Sequence, residues 1–313
     1  MIDSAIESRY LTLSRNEWAG LKANSPIQIT EDDIRKSQGL ADVISRDGVE
    51  EVYFPLARLI NLHYTAHRDL RTLTQRFLNR EPRPTPFLIG LAGSVAVGKS
   101  SAARLLRILL SQWPQHPNVQ LITTDGFLYD NATLKERGIF NRKGFPESYD
   151  TAKLIQFVRD IASGTNIVEA PVYSHVTYDI VPDSKITLSS PDIVIIEGLN
   201  VLQQPPRDHN WSGTLLSSFF DFSIFVDADE NDIRNWYVER FLSLRNTAFS
   251  DPNSYFHHYE SLSDVEAGAT AVQIWESINA VNLRENILPT RENASLILHK
   301  DADHSINTIL LRK

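Results

Sequence analysis

The stretch FLIGLAGSVAVGKSSAARLL, residues 87–106, decides how the rest of the chain is read. Its first third, Phe87 to Ala92, is a short apolar run of the kind that forms a strand buried on both faces of a parallel sheet. Its centre, residues 93–100, fits the pattern G-x-x-x-x-G-K-[ST]. Gly93 and Gly98 let the backbone bend so that N–H groups along Ser94, Val95, Ala96 and Val97 point at a nucleotide phosphate. Lys99 sets a point charge on the β- and γ-oxygens, the Ser100 hydroxyl can ligate Mg²⁺, and Ser101 completes the nucleotide-binding set. The last third carries apolar residues at helical spacing as far as Trp113 and Pro114. Strand, loop and helix N-terminus in that order form an anion site. The bland alternative, a glycine turn with an incidental lysine, explains neither flank.

Working outward, the order of apolar runs predicts an α/β fold of the doubly wound, mostly parallel kind, with helices on both faces. Strands are expected at residues 119–127, the last of these making a turn, and at 192–198, 219–226 and 294–299, with helices at 151–163, 231–244 and 265–288. Residues 1 to about 83 read as helical, with an N-cap and acidic first turn at Thr30-Glu-Asp-Asp and apolar spacing through 49–77. Arg80-Glu-Pro-Arg-Pro-Thr-Pro86 reads as a stiff connector. The expected organisation is one domain over 1–313, with 1–83 as a helical extension and 84–313 as the nucleotide- and substrate-binding core.

Composition narrows the function. The 313 residues carry 31 Lys and Arg against 39 Asp and Glu, a net charge of −8, which argues against a broad nucleic-acid surface. The chain has no Cys, so a thiolate nucleophile and a Cys-ligated zinc site are excluded. The acidic N-terminal stretch does not read as a secretory signal, and no apolar run approaches a membrane span.

Ligands of open α/β sheets sit at the carboxyl ends of strands, where two carboxylates fall: Asp125 in TTDGF and Glu197 in IIEGLN. Phosphoryl transfer needs a metal on the phosphates and a group to take the proton of the attacking hydroxyl. Residue types alone leave open which of the two serves which end. PVYSHVTYD, residues 171–179, is a polar aromatic cluster that in isolation could be a loop bonded only to itself. Arg240 and Arg245 share one helical segment, where an arginine either forms a solvated ion pair or holds developing charge opposite Lys99; Lys143 is a weaker candidate of the same kind. No N-K-x-D guanine signature and no L-S-G-G-Q stretch is present, which leaves a small-molecule kinase.

GSVAVGKSSAARLL, LITTDGF, LKERG, KGFPESYD, APVYSH, EGLNVLQ, WYVERFL, FSDPNSYFHHY and NILPTRENASLIL together resemble type I bacterial pantothenate kinase, a P-loop kinase of the phosphoribulokinase/uridine kinase-like superfamily. The N-terminal SRNEWAGLK and YFPLARLINLHY extend the likeness over nearly the whole chain. The resemblance implies ATP- and Mg²⁺-dependent phosphorylation of pantothenate to 4′-phosphopantothenate, the opening step of coenzyme A synthesis, in a cytoplasmic homodimer. It implies Asp125 as base, Lys99 and Ser100 on the phosphates and Mg²⁺, and Arg240 on the transferred group; Glu197 is the further metal candidate by its residue type and place. It implies pantothenate contacts at Asp125, Tyr173, His175, Tyr237, Arg240 and Asn279. It also implies feedback inhibition by coenzyme A through Arg104, Lys143, His175, Phe241, Phe249, Tyr255, Phe256 and Tyr259. One departure stands out: where familiar members read R-F-L-K-F-R, this chain has Arg240-Phe-Leu-Ser-Leu-Arg245, and Leu244 replaces an aromatic. Sister kinases acting on uridine, ribulose phosphate or glycerate, and a nucleotide-binding coenzyme A sensor without catalysis, remain alternatives.

Overall fold

The computed structural model describes residues 9–22, 27–39, 42–81, 84–203 and 213–313. The first eight residues, part of the stretch judged for a secretory signal, and Pro82 and Arg83 of the connector lie outside the described residues.

The chain opens with a strand, β1 (Tyr10–Ser14), then helix α1 (Arg15–Ala19) and helix α2 (Glu31–Ser37). α2 starts as the sequence suggests: Thr30 accepts from the N–H of Asp33 while Asp33 reaches back, a capping box, with Glu31, Asp32 and Asp33 in the first turn. A π-type turn at Val49–Tyr53 leads into the long helix α3 (Phe54–Phe77). The core begins with β2 (Phe87–Gly93) and α4 (Lys99–Leu110), followed by β3 (Val119–Thr123), α5 (Asn131–Glu136) and α6 (Thr151–Ala162). Next come β4 (Ile167–Ser174), β5 (Asp179–Ser189), β6 (Ile193–Glu197), β7 (Phe222–Ala228), α7 (Glu230–Arg245), α8 (Asp264–Ile274), β8 (Leu296–Lys300) and β9 (Ile306–Arg312).

Seven strands form one sheet in the order β1-β9-β8-β7-β2-β6-β3, parallel from β8 through β3. Every residue of β2, β6 and β7 is buried, which is why these segments read as unbroken apolar runs. β2 lies between β6 and β7, so the loop that follows it opens where the crossovers diverge to either side. On α3 one face packs inward through Leu56, Ile60 and Tyr64, while Leu62, Leu70, Leu73 and Phe77 are exposed on another. Burying Leu56 or Ile60 completely stabilises the fold by about 1.5–3 kcal/mol each.

Four expectations need correction. The first 83 residues are not all helical, since Tyr10–Ser14 pairs antiparallel with β9 at the sheet edge. Residues 171–179 are not a free loop. They form the end of a separate two-stranded arm, β4 with β5, in which Tyr173 faces Ile180 and Ser174 faces Asp179. The strand expected from 219 begins at Phe222, because residues Leu216–Phe219 form a 3₁₀ turn. The helix expected over 265–288 is regular only to Ile274; π-type turns follow at Trp275–Asn279 and Leu283–Ile287.

Candidate active site

The phosphate loop lies between β2 and α4. Gly98 is the N-cap of α4 at φ +95°, a left-handed conformation that L side chains resist, and it supplies no side chain to cap the helix. The first-turn N–H groups of α4 therefore lack the side-chain cap that α2 has, an opening suited to an anion. A Cβ at Gly98 would stand 3.0 Å from Lys300 Nζ and 3.1 Å from Asp42 Oδ1, so the loop is tightly walled. Ser94 Oγ is buried with no hydrogen-bond partner among the described residues, a polar atom left over for a ligand.

Lys99 is buried and its Nζ donates to the Ser94 carbonyl at 2.9 Å. It also lies 3.8 Å from Glu197 Oε1, and the Ser100 hydroxyl donates to that same oxygen at 3.1 Å. Burial lowers the Lys99 pKa, with Glu197 and Asp125 opposing; burial raises that of Glu197, with Lys99 opposing. A hydroxyl and a carboxylate converging beside the phosphate lysine are oxygen donors of the kind Mg²⁺ takes, so these residues fit the metal that the resemblance implies.

Ser101, expected only as part of the nucleotide set, has its hydroxyl engaged: it pairs with Asp42 and accepts from the N–H of Gly39 at 2.9 Å. Arg104 donates to Ser101 Oγ at 3.1 Å and to the Ser37 carbonyl at 2.9 Å. On the other side, buried Lys300 donates to the Val97 carbonyl at 3.1 Å and lies over the Trp236 ring. Asp42 and Lys300 were not singled out from the sequence; nothing in their local spacing marks them.

The acceptor side is built around Asp125, in the 3₁₀ turn Thr124–Phe127 that ends β3. This turn meets the end of β6 closely enough that a Cβ on Gly198 would stand 1.9 Å from Thr124 Oγ1. Only glycine permits that approach, which sets Asp125 and Glu197 on adjacent strand ends. Among the described residues the Asp125 carboxylate has no hydrogen bond or ion pair. Its charge nonetheless reaches Lys99, Glu197, Lys143, Tyr173 and Tyr178.

The β4–β5 arm brings in Tyr173, which meets His175 edge to face at 5.2 Å, and Tyr178. Burial raises both phenols well above the ordinary tyrosine value. From α7 comes Tyr237, pushed up to about 12 by burial while a hydrogen bond from Asn279 works in the opposite direction. Arg240 is exposed and, among the described residues, has no hydrogen-bond or ion-pair partner, yet it lies near enough to act on Lys99, Arg104 and Tyr237. Arg245 is the paired one, holding Asp264 and donating to the Leu262 carbonyl at 2.6 Å. The structure thus separates two arginines that residue type and spacing alone left equivalent.

Lys143 Nζ donates to Tyr178 O at 2.6 Å and Asn131 Oδ1 at 2.7 Å, and lies 4.1 Å and 5.0 Å from the Tyr178 and Tyr173 ring centres. Burial lowers its pKa to about 8 against the pull of Asp179 and Asp125. Beyond it, Phe241, Phe249, Phe256 and Tyr259 form a ring cluster apart from the main core, with Phe241 to Phe249 at 5.4 Å and Phe249 to Phe256 at 5.1 Å. Tyr178 joins this cluster to the acceptor side through Tyr255 at 5.3 Å and Phe256 at 4.8 Å. Leu244 packs against the cluster as an aliphatic wall. Tyr178, given no role from the sequence, is the hinge of the arrangement.

The chain matches the phosphoribulokinase/uridine kinase family over residues 88–251, from β2 past the end of α7. It is 53% identical to a pantothenate kinase of Parvibaculum lavamentivorans over 97% of this chain and 93% of that one. It is 51% identical to a pantothenate kinase of Rhodococcus jostii over all of both chains. Among solved structures, the YGR205w protein aligns with a TM-score of 0.50 and 18% identity over 80% of this chain and 98% of that chain, a likeness of fold alone. The phosphate loop between β2 and α4, together with this identity across the whole length, places the chain among the pantothenate kinases of the phosphoribulokinase/uridine kinase family.

Proposed function

We propose that the protein transfers the γ-phosphoryl of ATP to the primary hydroxyl of pantothenate, giving 4′-phosphopantothenate for coenzyme A synthesis. The observation that carries the reading is Asp125, a carboxylate without a partner among the described residues, at a strand end near enough for its charge to act on Lys99, Glu197 and Tyr173. In this reading Asp125 accepts the hydroxyl proton as the oxygen attacks the γ-phosphorus, and ADP leaves. The loop from Gly93 through Ser101 holds the phosphates, with Lys99 on the β- and γ-oxygens. Ser100 and Glu197 would hold Mg²⁺, which neutralises phosphate charge when bound. Arg240 holds charge that develops on the transferred group, and its lack of an ion pair among the described residues supports that role. Tyr173, His175, Tyr237 and Asn279 hold the polar acceptor.

Coenzyme A would bind as feedback inhibitor, with Arg104 and Lys143 for its phosphates, His175 beside them, and Phe241, Phe249, Tyr255, Phe256 and Tyr259 for its thiol end. The whole of 1–313 then acts as one cytoplasmic kinase domain; no helix among the described residues is long and apolar enough to cross a membrane. A homodimer is part of the same reading, and the exposed stripe Leu62, Leu70, Leu73 and Phe77 on α3 suits a second copy. Phe77→Glu should then leave a monomer by sedimentation, whereas an unchanged mass would exclude α3 as the interface.

The direct test offers pantothenate, uridine and glycerate separately with Mg-ATP and follows ADP release and product mass. Phosphorylation of pantothenate alone is expected. Turnover of another acceptor would reassign the substrate, and ATP binding without turnover would favour a sensor.

A further inference from the structure

Two carboxamide side chains, on segments far apart in sequence, converge on one carbonyl oxygen. Asn200 Nδ2, just past β6, donates to Gly144 O at 3.0 Å. Asn282 Nδ2, between the two π-type turns, donates to the same oxygen at 3.0 Å. Both lone pairs of that carbonyl are thereby used.

The amides are themselves held. Asn286 Nδ2 donates to Asn282 Oδ1 at 3.0 Å, Gln203 Nε2 donates to Asn200 Oδ1 at 3.2 Å, and Gln203 also donates to the Asn286 carbonyl at 2.8 Å. The result is a closed circuit of neutral donors and acceptors with Asn282 buried. From the other side, Ser148 Oγ accepts from the N–H of Gly144 at 3.0 Å. Gly144 is therefore gripped at both its N–H and its carbonyl, and the residue before it is Lys143.

We infer that Asn282 and Asn200 are positioning residues: by clamping the Gly144 carbonyl they hold Lys143 between Tyr173 and Tyr178, and they tie it to the helical run that carries Asn279. The inference rests on the reading that Lys143 belongs to the binding site. A flexible lysine loses more freedom when ordered than most side chains, so its placement needs a rigid backbone beneath it. Amides suit this use, because a buried carbonyl is satisfied without bringing a second charge near Lys143.

The test is a double-mutant cycle on the full chain with Asn282→Ala, Lys143→Met and the pair. Readouts are KM for pantothenate, kcat, the coenzyme A inhibition constant and the thermal midpoint. Asn282→Ala is expected to raise the pantothenate KM and weaken coenzyme A inhibition as Lys143→Met does, by about ten-fold, with a smaller change in kcat. In the Lys143→Met background the same substitution should change these constants by no more than about two-fold. Should Asn282→Ala fail to fold, Asn200→Ala, on the half-exposed partner, carries the same test. If the Asn substitutions keep their full effect without Lys143, or lower only the thermal midpoint, the clamp is overturned while Lys143 keeps its place. If Lys143→Met alone changes none of the constants, Lys143 lies outside the site and the clamp falls with it.

Discussion

On the phosphate side of the site the charged groups already answer one another. Lys99 is bonded to the loop's own Ser94 carbonyl, Glu197 is bonded to Ser100 and faces Lys99, and Ser101 is held by Asp42. On the acceptor side Asp125 and Arg240 face the site without a hydrogen bond or ion pair among the described residues, while the aromatic groups around them are tightly packed. The difference separates two kinds of functional residue. Lys99 and Glu197 are bonded into the loop itself, so removing either should disturb its shape as well as the ligand proposed for it. Asp125 and Arg240 hold no other side chain among the described residues, so their removal should cost turnover and leave the fold intact.

The sharpest way to break this distinction is Lys99→Met. It should lower kcat/KM for ATP by about three orders of magnitude or more, and nucleotide binding followed by calorimetry should weaken with it. Retained ATP binding would mean that the loop does not depend on its lysine. Next in size, Arg240→Ala should lower kcat by about 10²–10³-fold with an unchanged thermal midpoint. Arg245→Ala should do the reverse, losing stability through its tie to Asp264 and Leu262 while sparing kcat. Equal effects of the two would erase the contrast.

A smaller effect follows from Lys143, whose folded pKa of about 8 lies below that of a free lysine because it is buried. Its positive charge is present below that value and lost as pH rises through it, so binding that needs the charge fades above about pH 8. Between pH 8 and the unfolded value near 10.5 the unfolded chain binds the extra proton, so this group's contribution to stability rises with pH there. Coenzyme A inhibition measured from pH 7 to 9 should weaken with a one-proton dependence that Lys143→Met removes; a profile unchanged by the substitution would contradict it. The smallest expected effect is Leu244→Phe, which restores a ring to the wall of the aromatic cluster. It should tighten coenzyme A inhibition by about 1 kcal/mol, roughly five-fold, and leave pantothenate kinetics near the wild type.

How much of this could be read from the sequence depends on how local each feature is. The phosphate loop was legible because β2, the glycines and α4 are contiguous, and Asp125 and Glu197 because each ends its own apolar run. β1 was not: Tyr10–Ser14 is a five-residue edge strand whose partner lies at the other end of the chain, and one exposed leucine, Leu11, blurs its alternation. Residues 171–179 leave a local loop and a functional cluster equally open by residue type, and the pairing of β4 with β5, which shifts register between Pro171 and Tyr173, is not visible in that window. Asp42 and Lys300 reach the loop from outside it, and Asn282 meets a carbonyl 138 residues away. No window of neighbouring residues contains such contacts. The π-type turns after Ile274 lie inside a run whose apolar spacing reads as one regular helix.

In the proposed reading Asp125 acts on the acceptor and takes no part in holding the nucleotide. The most direct measurement compares Asp125→Asn with the wild type in two assays on the same preparation, ATP affinity by calorimetry and phosphorylation of pantothenate by product mass. The account predicts ATP affinity within about two-fold of wild type and a loss of turnover of about 10²–10⁴-fold, the range of a general base. Turnover near the wild-type rate, or a loss of ATP binding as large as the loss of turnover, would contradict it.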